Sequence, residues 1–370
     1  MTMEDETMAT RIAEQVMVLA GTRNGLYIFK SDLGREQWSI CGPFLDGYDI
    51  SHAVLDPRDG ETIWAAVNGN GEAAVYKSPD RGRTWARAGE PFDADLIWHV
   101  APALDDMPDS VYAGVMPAML YRSDDCGQTW SEVEGLANHP SRDEWWPGGG
   151  GMCLHTIVTN PQRPKDLLVA MSVGGVLYSE DGGENWEPRN TGTFSMADEW
   201  SNHAGRSSQH DVHRCTHKVA RHPDNGLLFQ QNHVGVYRSW SYGKEWEDIS
   251  DGLPDRFGFV IDVTRNGTVF VVPQHDWQED VGVRVTGQLA AYRSKDSGES
   301  WERLTNGLPE VENMTLYREG MATDFCQQGG VYFGTSDGVL HYTRNGGDTW
   351  HQLATGLPPV RSVTCEHFAG

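Results

Sequence analysis

Four histidines each stand at the head of a short apolar run: His52 in DISHAVLDP, His99 in LIWHVAPAL, His155 in MCLHTIVTNP and His217 in CTHKVARHP. A fifth, His233 in QQNHVG, follows the His217 run in a turn-like segment. Imidazoles carried to one place by successive strands can converge on a single ion. A nitrogen-rich set of this kind suits a divalent transition metal: Zn, Cu, Fe, Mn or Ni. Such an ion activates water or binds O2. Two readings compete with it, histidines hydrogen-bonded to backbone carbonyls and trapped water, and metal-free acid/base work by the imidazoles. Aligned on the following proline or its equivalent, His99, His155 and His217 share one register. His52 is displaced by one residue, which turns its side chain to the other face unless a bulge intervenes.

Three long polar segments hold further chemistry. Leu136 to Met152 carries His139, Arg142, Glu144, Trp145 and Trp146 before four consecutive glycines. Its Trp rings can stack on a sugar, or anchor a lid, while the glycines let a ligand approach the backbone. No helix and no Lys-Ser/Thr follows, so a phosphate cradle is a poor reading of that run. Asn190 to Thr216 holds Glu199, Trp200, His203, Arg206, His210, Asp211 and His213, an acid/base-capable stretch that also reads as a solvated lid. Gln274 to Gly287, with His275, Asp276, Trp277, Glu279 and Asp280, is an acidic flap or contact surface. Asp262, Tyr317, Arg318, Glu319 and Arg361 complete the candidates. An arginine beside the site suits a carboxylate-bearing substrate, and a salt bridge of Arg318 or Arg361 to Glu319 or Glu366 is the plainer alternative. The expected catalytic residues are Arg318, His213 and Glu144. Trp98, Arg142, Trp146, His275 and Arg361 are expected to contact substrate, and His52, His99, His155, His217 and His233 to hold the metal.

The elements that position these residues come from one internal repeat. Ser-x-Asp-x-Gly-x-Thr-Trp occurs as Ser78, Asp80, Gly82, Thr84, Trp85 and again as Ser123, Asp125, Gly127, Thr129, Trp130. Ser179-Asp181-Gly183-Trp186 and Ser294-Asp296-Gly298-Trp301 keep its core, Thr343-Asn345-Gly347-Trp350 and Ser239-Ser241-Gly243-Trp246 replace the acid, and Ser31 to Trp38 is a degenerate copy. In all seven, Ser or Thr precedes Trp by seven residues, and successive Trp residues lie 45 to 60 apart. Alternating runs such as AAVYKS and GVLYSE precede each copy and a strand follows it, so the motif is a hairpin turn. Further strands lie upstream, for example TIWAAV after SHAVLDP and DLLVAM after LHTIVTNP. Four strands per period describe a β-propeller blade, and seven periods a seven-bladed ring.

These turns resemble the Asp-box, or BNR repeat, of sialidase-like, xyloglucanase-like and sortilin-like propellers, over nearly the full chain. HPSRDEWWPGGGGMCLHTIV, CTHKVARHP, FQQNHVGVYRS, GVYFGTSDGV and LPPVRSV are similar to the bacterial BNR/Asp-box repeat proteins (exo-α-sialidase-like, WD40/YVTN/BNR-like), a group named for its repeats. The resemblance implies an all-β seven-bladed β-propeller, its ring closed by the C-terminal strand RSVTCEHF joining the N-terminal blade of MVLAGTR, LYIFKS and QWSIC. Closure removes exposed sheet edges. Residues 1–15 are then a disordered N-terminal tail and 16–370 a single propeller domain. In that architecture the four histidines stand at one mouth of the channel and the Asp-box turns act as staples on the opposite face.

Composition narrows the partners. With 29 Lys+Arg against 53 Asp+Glu and a net charge of −24, nucleic acid and anionic membrane surfaces would repel the chain. The acidic N-terminus lacks an apolar signal core and no run reaches the ~20 apolar residues of a membrane span, so a cytoplasmic protein is expected. Six cysteines without a Cys-x-x-Cys read as reduced, buried thiols. The function expected is a metal-dependent enzyme acting at the channel mouth on a small anionic, hydroxylated or carbohydrate-like substrate, by lyase, hydrolase or oxidative chemistry. The alternative is a non-catalytic platform, as sortilin-like and photosystem-assembly propellers allow, with a basic protein or a second copy as partner. A metal-independent sialidase ranks below both. Arg318, Arg361 and Arg23 can be gathered for its arginine triad, but no FRIP-like segment appears. A two-carboxyl glycosidase would have to draw on Asp262, Glu144 and Glu319.

Overall fold

The computed structural model describes residues 14–104, 106–148, 150–194, 211–278 and 282–369. The expected tail therefore lies, up to residue 13, outside the described residues, and the first strand begins at Glu14. Seven four-stranded antiparallel sheets form the blades of a propeller. Blade I is built from Ser39–Phe44, Gly25–Asp32, Glu14–Thr22 and, innermost, Val360–Ala369. The inner strands of blades II to VII are Asp49–Leu55, Leu96–Pro102, Leu154–Thr159, Thr216–Arg221, Gly258–Val263 and Met321–Thr323. Seven large apolar clusters fill the blade junctions, one between each adjacent pair. Val16, Val18 and Phe29 pack with Tyr332 and Val360 between blades VII and I, and Met17, Leu19 and Ile28 pack with Ile50 and Ile63 between blades I and II. One strand thus sends alternate residues into two junctions, as its period of two requires.

The repeat turns close the outer hairpins. Ser123 Oγ donates to Asp125 Oδ1 (2.8 Å) and accepts from the Gly127 N–H (2.8 Å), while Asp125 takes the Thr129 N–H and hydroxyl (2.8 and 2.6 Å). Cys126 and Gly127 both have positive φ (57° and 84°), which explains the glycine. Three of the Trp residues then reach the neighbouring blade, Trp130 Nε1 donating to Ala88 O, Trp246 Nε1 to Arg189 O and Trp301 Nε1 to Ile249 O at 2.8 to 2.9 Å, whereas Trp38, Trp85 and Trp186 donate within their own turns.

One element was not anticipated. His275–Gln278, Gly282–Gln288 and Glu310–Met314 form a separate three-stranded sheet. It turns the acidic excursion of blade VI into a β-hairpin beside the channel mouth.

Candidate functional site

Each inner strand of blades II to V carries one extra residue near its start. Pairing with the second strand slips between Ile50 and His52, Ile97 and His99, Leu154 and Thr156, and Thr216 and Lys218. The bulged positions are Ser51, Trp98, His155 and His217, and His52, His99, Thr156 and Lys218 follow them. This corrects the expected register: His52 and His99 are equivalent, and His155 and His217 lie one position earlier. The proline alignment holds for His52, His155 and His217, since Pro57, Pro161 and Pro223 lie equally far past the bulges; it misplaced only His99, whose strand ends at Pro102 and has Leu104 at the equivalent position.

Three of the four equivalent positions, His52, His99 and Lys218, converge on Glu319. This carboxylate is 3% exposed and stands at the head of blade VII, where its backbone carbonyl accepts the Val363 N–H of the closing strand at 2.7 Å. Lys218 Nζ is hydrogen-bonded to Oε2. His99 Nδ1 lies 3.5 Å from Oε1 and His52 Nε2 lies 3.9 Å from Oε2, with the two imidazoles stacked at 3.9 Å between centroids. Burial alone would raise the Glu319 pKa; the Lys218 charge and the neighbouring His99 and His52 hold it well below the usual carboxylate range. Burial, and then His99, keep His52 neutral. Asp262 accepts the Val263 and Thr323 N–H groups at 2.8 and 2.7 Å, and burial pushes it up to about 6.

A second group surrounds Arg318. Arg318 precedes Glu319 in a turn in which the Gly320 N–H donates to the Tyr317 carbonyl at 2.8 Å. Its guanidinium lies over Phe259 (5.0 Å) and Trp98 (5.8 Å), and among the described residues it meets no carboxylate. A Cβ at Gly150 would stand 3.1 Å from its Nη1, a reason for the glycine run. His217 Nδ1–H donates to Gly258 O at 2.6 Å, so Nε2 carries the lone pair and faces Cys215 Sγ at 3.4 Å. His233 is 5.5 Å away, ring to ring. Burial, Arg318 and His233 together hold His217 well below the ordinary histidine range. His155 differs: Nε2 meets Thr216 O at 2.9 Å and Nδ1 meets Thr156 Oγ1 at 3.0 Å. Both of its ring nitrogens are engaged, which joins blades IV and V and leaves no lone pair for an ion. The five histidines therefore divide into two pairs and a structural joint.

The remaining candidates lie around these groups. Arg361 pairs with Asp49 at 2.7 Å and lies over Tyr317, so its partner is neither Glu319 nor Glu366 as expected. Arg142 donates to Ala118 O and stacks on Trp145 at 4.7 Å. His213 Nε2 meets the backbone carbonyl of Glu144 at 3.0 Å, and its ring lies 4.0 Å from Trp146, which packs on Cys215 and Val173. These contacts pin the Leu136–Met152 segment beside the mouth. His275 is exposed on the extra sheet and pairs with Asp255 at 3.3 Å. Glu199, Trp200, His203, Arg206, His210, Glu279 and Asp280 lie outside the described residues. Sequence reasoning missed Lys218 and Cys215, which flank His217 and needed only the bulge to be seen.

Fold and site define an all-β seven-bladed propeller with a polar channel mouth and an arginine that meets no carboxylate among the described residues. No family model matches the chain. The oligoxyloglucan-reducing end-specific xyloglucanase of Emericella nidulans is 25% identical over 178 residues, 44% of this chain and 21% of that protein. The chain spans about a fifth of the length of the first two curated relatives it matches. Among solved structures, the GH74 xyloglucanase from Xanthomonas campestris superposes with a TM-score of 0.62 at 19% identity, over 94% of this chain and 52% of that one. YCF48 from Cyanidioschyzon merolae superposes with a TM-score of 0.54 at 16% identity, over 84% and 86%. At these identities the likeness to solved structures concerns the fold.

Proposed function

We propose that the chain is a carbohydrate-acting propeller enzyme. Its mouth would hold a divalent transition metal on His52, His99 and Glu319 and bind the carboxylate of a sugar acid or acidic oligosaccharide at Arg318. One observation carries this reading. Three ligand-type side chains from three blades bring one donor atom each within 4.8 Å of one another, beside a guanidinium that meets no carboxylate among the described residues. Two imidazoles and a carboxylate with open positions are a donor set for Zn or Fe, and the ion supplies Lewis acidity toward a hydroxyl or water. The xyloglucanase relatives support a saccharide as the substrate class, and the arginine supports the acidic group.

Lys218 occupies Glu319 and must yield to the ion. Asp262, whose carboxylate feels the Lys218 charge, gives the displaced ammonium a second partner. His155 and His213 serve packing in this reading, and Trp98 shares with Phe259 the task of holding the guanidinium flat.

The test combines elemental analysis with turnover of acidic and neutral oligosaccharides. The expected result is that His52→Ala/His99→Ala binds one metal equivalent fewer than wild type and has no activity. Arg318→Gln should keep the metal and lose at least tenfold in kcat/KM on acidic substrates. Equal metal content in wild type and the double variant after reconstitution would overturn the metal. Absence of turnover, together with stable capture of a basic protein partner, would make the propeller an assembly platform.

A further inference from the structure

The histidine pair on the other side of Arg318 has chemistry of its own. We propose that Cys215, His217 and His233 form a second, thiolate-containing site for a borderline divalent ion such as Zn2+, distinct from the cluster at Glu319. Cys215 and His217 lie at the head of the blade V inner strand, one residue apart across the bulge, and His233 lies in the turn between the second and third strands of the same blade. The Sγ and one nitrogen of each imidazole lie within 4.8 Å of one another. The two segments are tied together, because the His233 N–H donates to the Cys215 carbonyl at 2.9 Å.

The surroundings are those of a ligand set held ready. The Nδ1–H of His217 is anchored on Gly258 O, which fixes the ring orientation and leaves Nε2 as the ligating atom. Phe257 packs edge-on against both imidazoles, at 5.2 and 5.0 Å, and Phe259 covers His217 at 4.7 Å. Cys215 is 4% exposed and packs with Val173 and Trp146. A low-dielectric wall of this kind strengthens metal–thiolate attraction. One thiolate and two imidazoles match the borderline softness of Zn2+ and supply three of the four ligands of a tetrahedral ion. The oxygen-bearing cluster at Glu319 is harder, so the two sites would sort different ions.

Cobalt is the probe, since only a thiolate ligand gives it a sulfur-to-metal charge-transfer band. Full-length protein stripped of metal and titrated with Co2+ should develop that near-ultraviolet band, together with the visible bands of a tetrahedral ion, to one equivalent. Zn2+ should bleach both. Cys215→Ser should abolish the charge-transfer band and His52→Ala/His99→Ala should leave it intact, so the outcome is independent of the site at Glu319. If Cys215→Ser does not fold by circular dichroism, His233→Ala replaces it and should weaken cobalt binding at least tenfold. A wild-type titration without the band, a band that survives Cys215→Ser, or unchanged affinity in His233→Ala overturns the proposal.

Discussion

Glu366, on the closing strand, is pushed up to about 8 by burial and by the nearby Asp262 charge. The ordinary value of such a carboxyl is 4.5, so the folded chain keeps a proton that the unfolded chain has released. Between those two values the native state binds more protons, and stability must fall as pH rises. Glu366→Gln removes this titration. By calorimetry across a pH series, the variant should melt within error of wild type near pH 4.5 and roughly 3 °C or more above it beyond pH 8. Parallel curves would refute the raised pKa. Single residues were also where the sequence was hardest to read. The histidines at the mouth could be picked out because each heads an apolar run. Their division could not, because one bulged residue per strand decides whether an imidazole meets Glu319 or Thr216 O. Bulges leave little trace in composition. Glu319 and Lys218 stand about a hundred residues apart, and only ring closure brings them together.

At the scale of elements, the repeat turns were fully legible, since their chemistry is local. A Ser, an acid two residues on and a Gly four residues on satisfy one another within a single hairpin. Two positive φ values leave the last of these positions little choice but glycine. The extra sheet was not legible, because Glu310–Met314 pairs with Gly282–Gln288 across an intervening pair of blade strands. Turn energetics give a graded expectation. Ser123 is buried and its hydroxyl receives the Gly127 N–H, so Ser123→Ala leaves that donor unsatisfied and should cost about 1–3 kcal/mol in urea unfolding. Thr129 is exposed, so Thr129→Ala gives up a solvent-screened bond to Asp125 without burying an unpaired donor and should cost less than Ser123→Ala. Equal losses would mean that the turn is not organised around the serine. Asp125, Asp181 and Asp296 are held near 2 against an ordinary 3.8 by turn hydrogen bonds. Their stabilisation is complete above 3.8 and is lost as pH falls toward 2, so acid should loosen the outer hairpins.

For the whole molecule, the seven repeat Trp residues foretold the seven junctions, because each blade can bury its two faces only against its neighbours. A ring of such units has no free edge until one is made. Val360–Ala369 supplies the innermost strand of blade I, pairing from Glu14↔Ala369 to Thr22↔Val360. The same strand braces blade II, through Arg361 to Asp49 and through the Thr364 hydroxyl to Ala53 O at 2.6 Å. Its Val363 and Cys365 fill the junction with blade VII, and its Phe368 the junction with blade II. Deleting residues 361–370 therefore removes one strand but uncovers two junctions and the edge of Glu14–Thr22, a template for pairing with other chains. The truncated protein should lose its sharp thermal transition and elute as oligomers, although a net charge of −24 opposes association. A synthetic peptide of the ten missing residues, added in excess, should restore both the transition and the wild-type elution. A truncated chain that melts cooperatively within a few degrees of wild type would show that the other six blades and the seven Trp turns hold the ring without its closing strand.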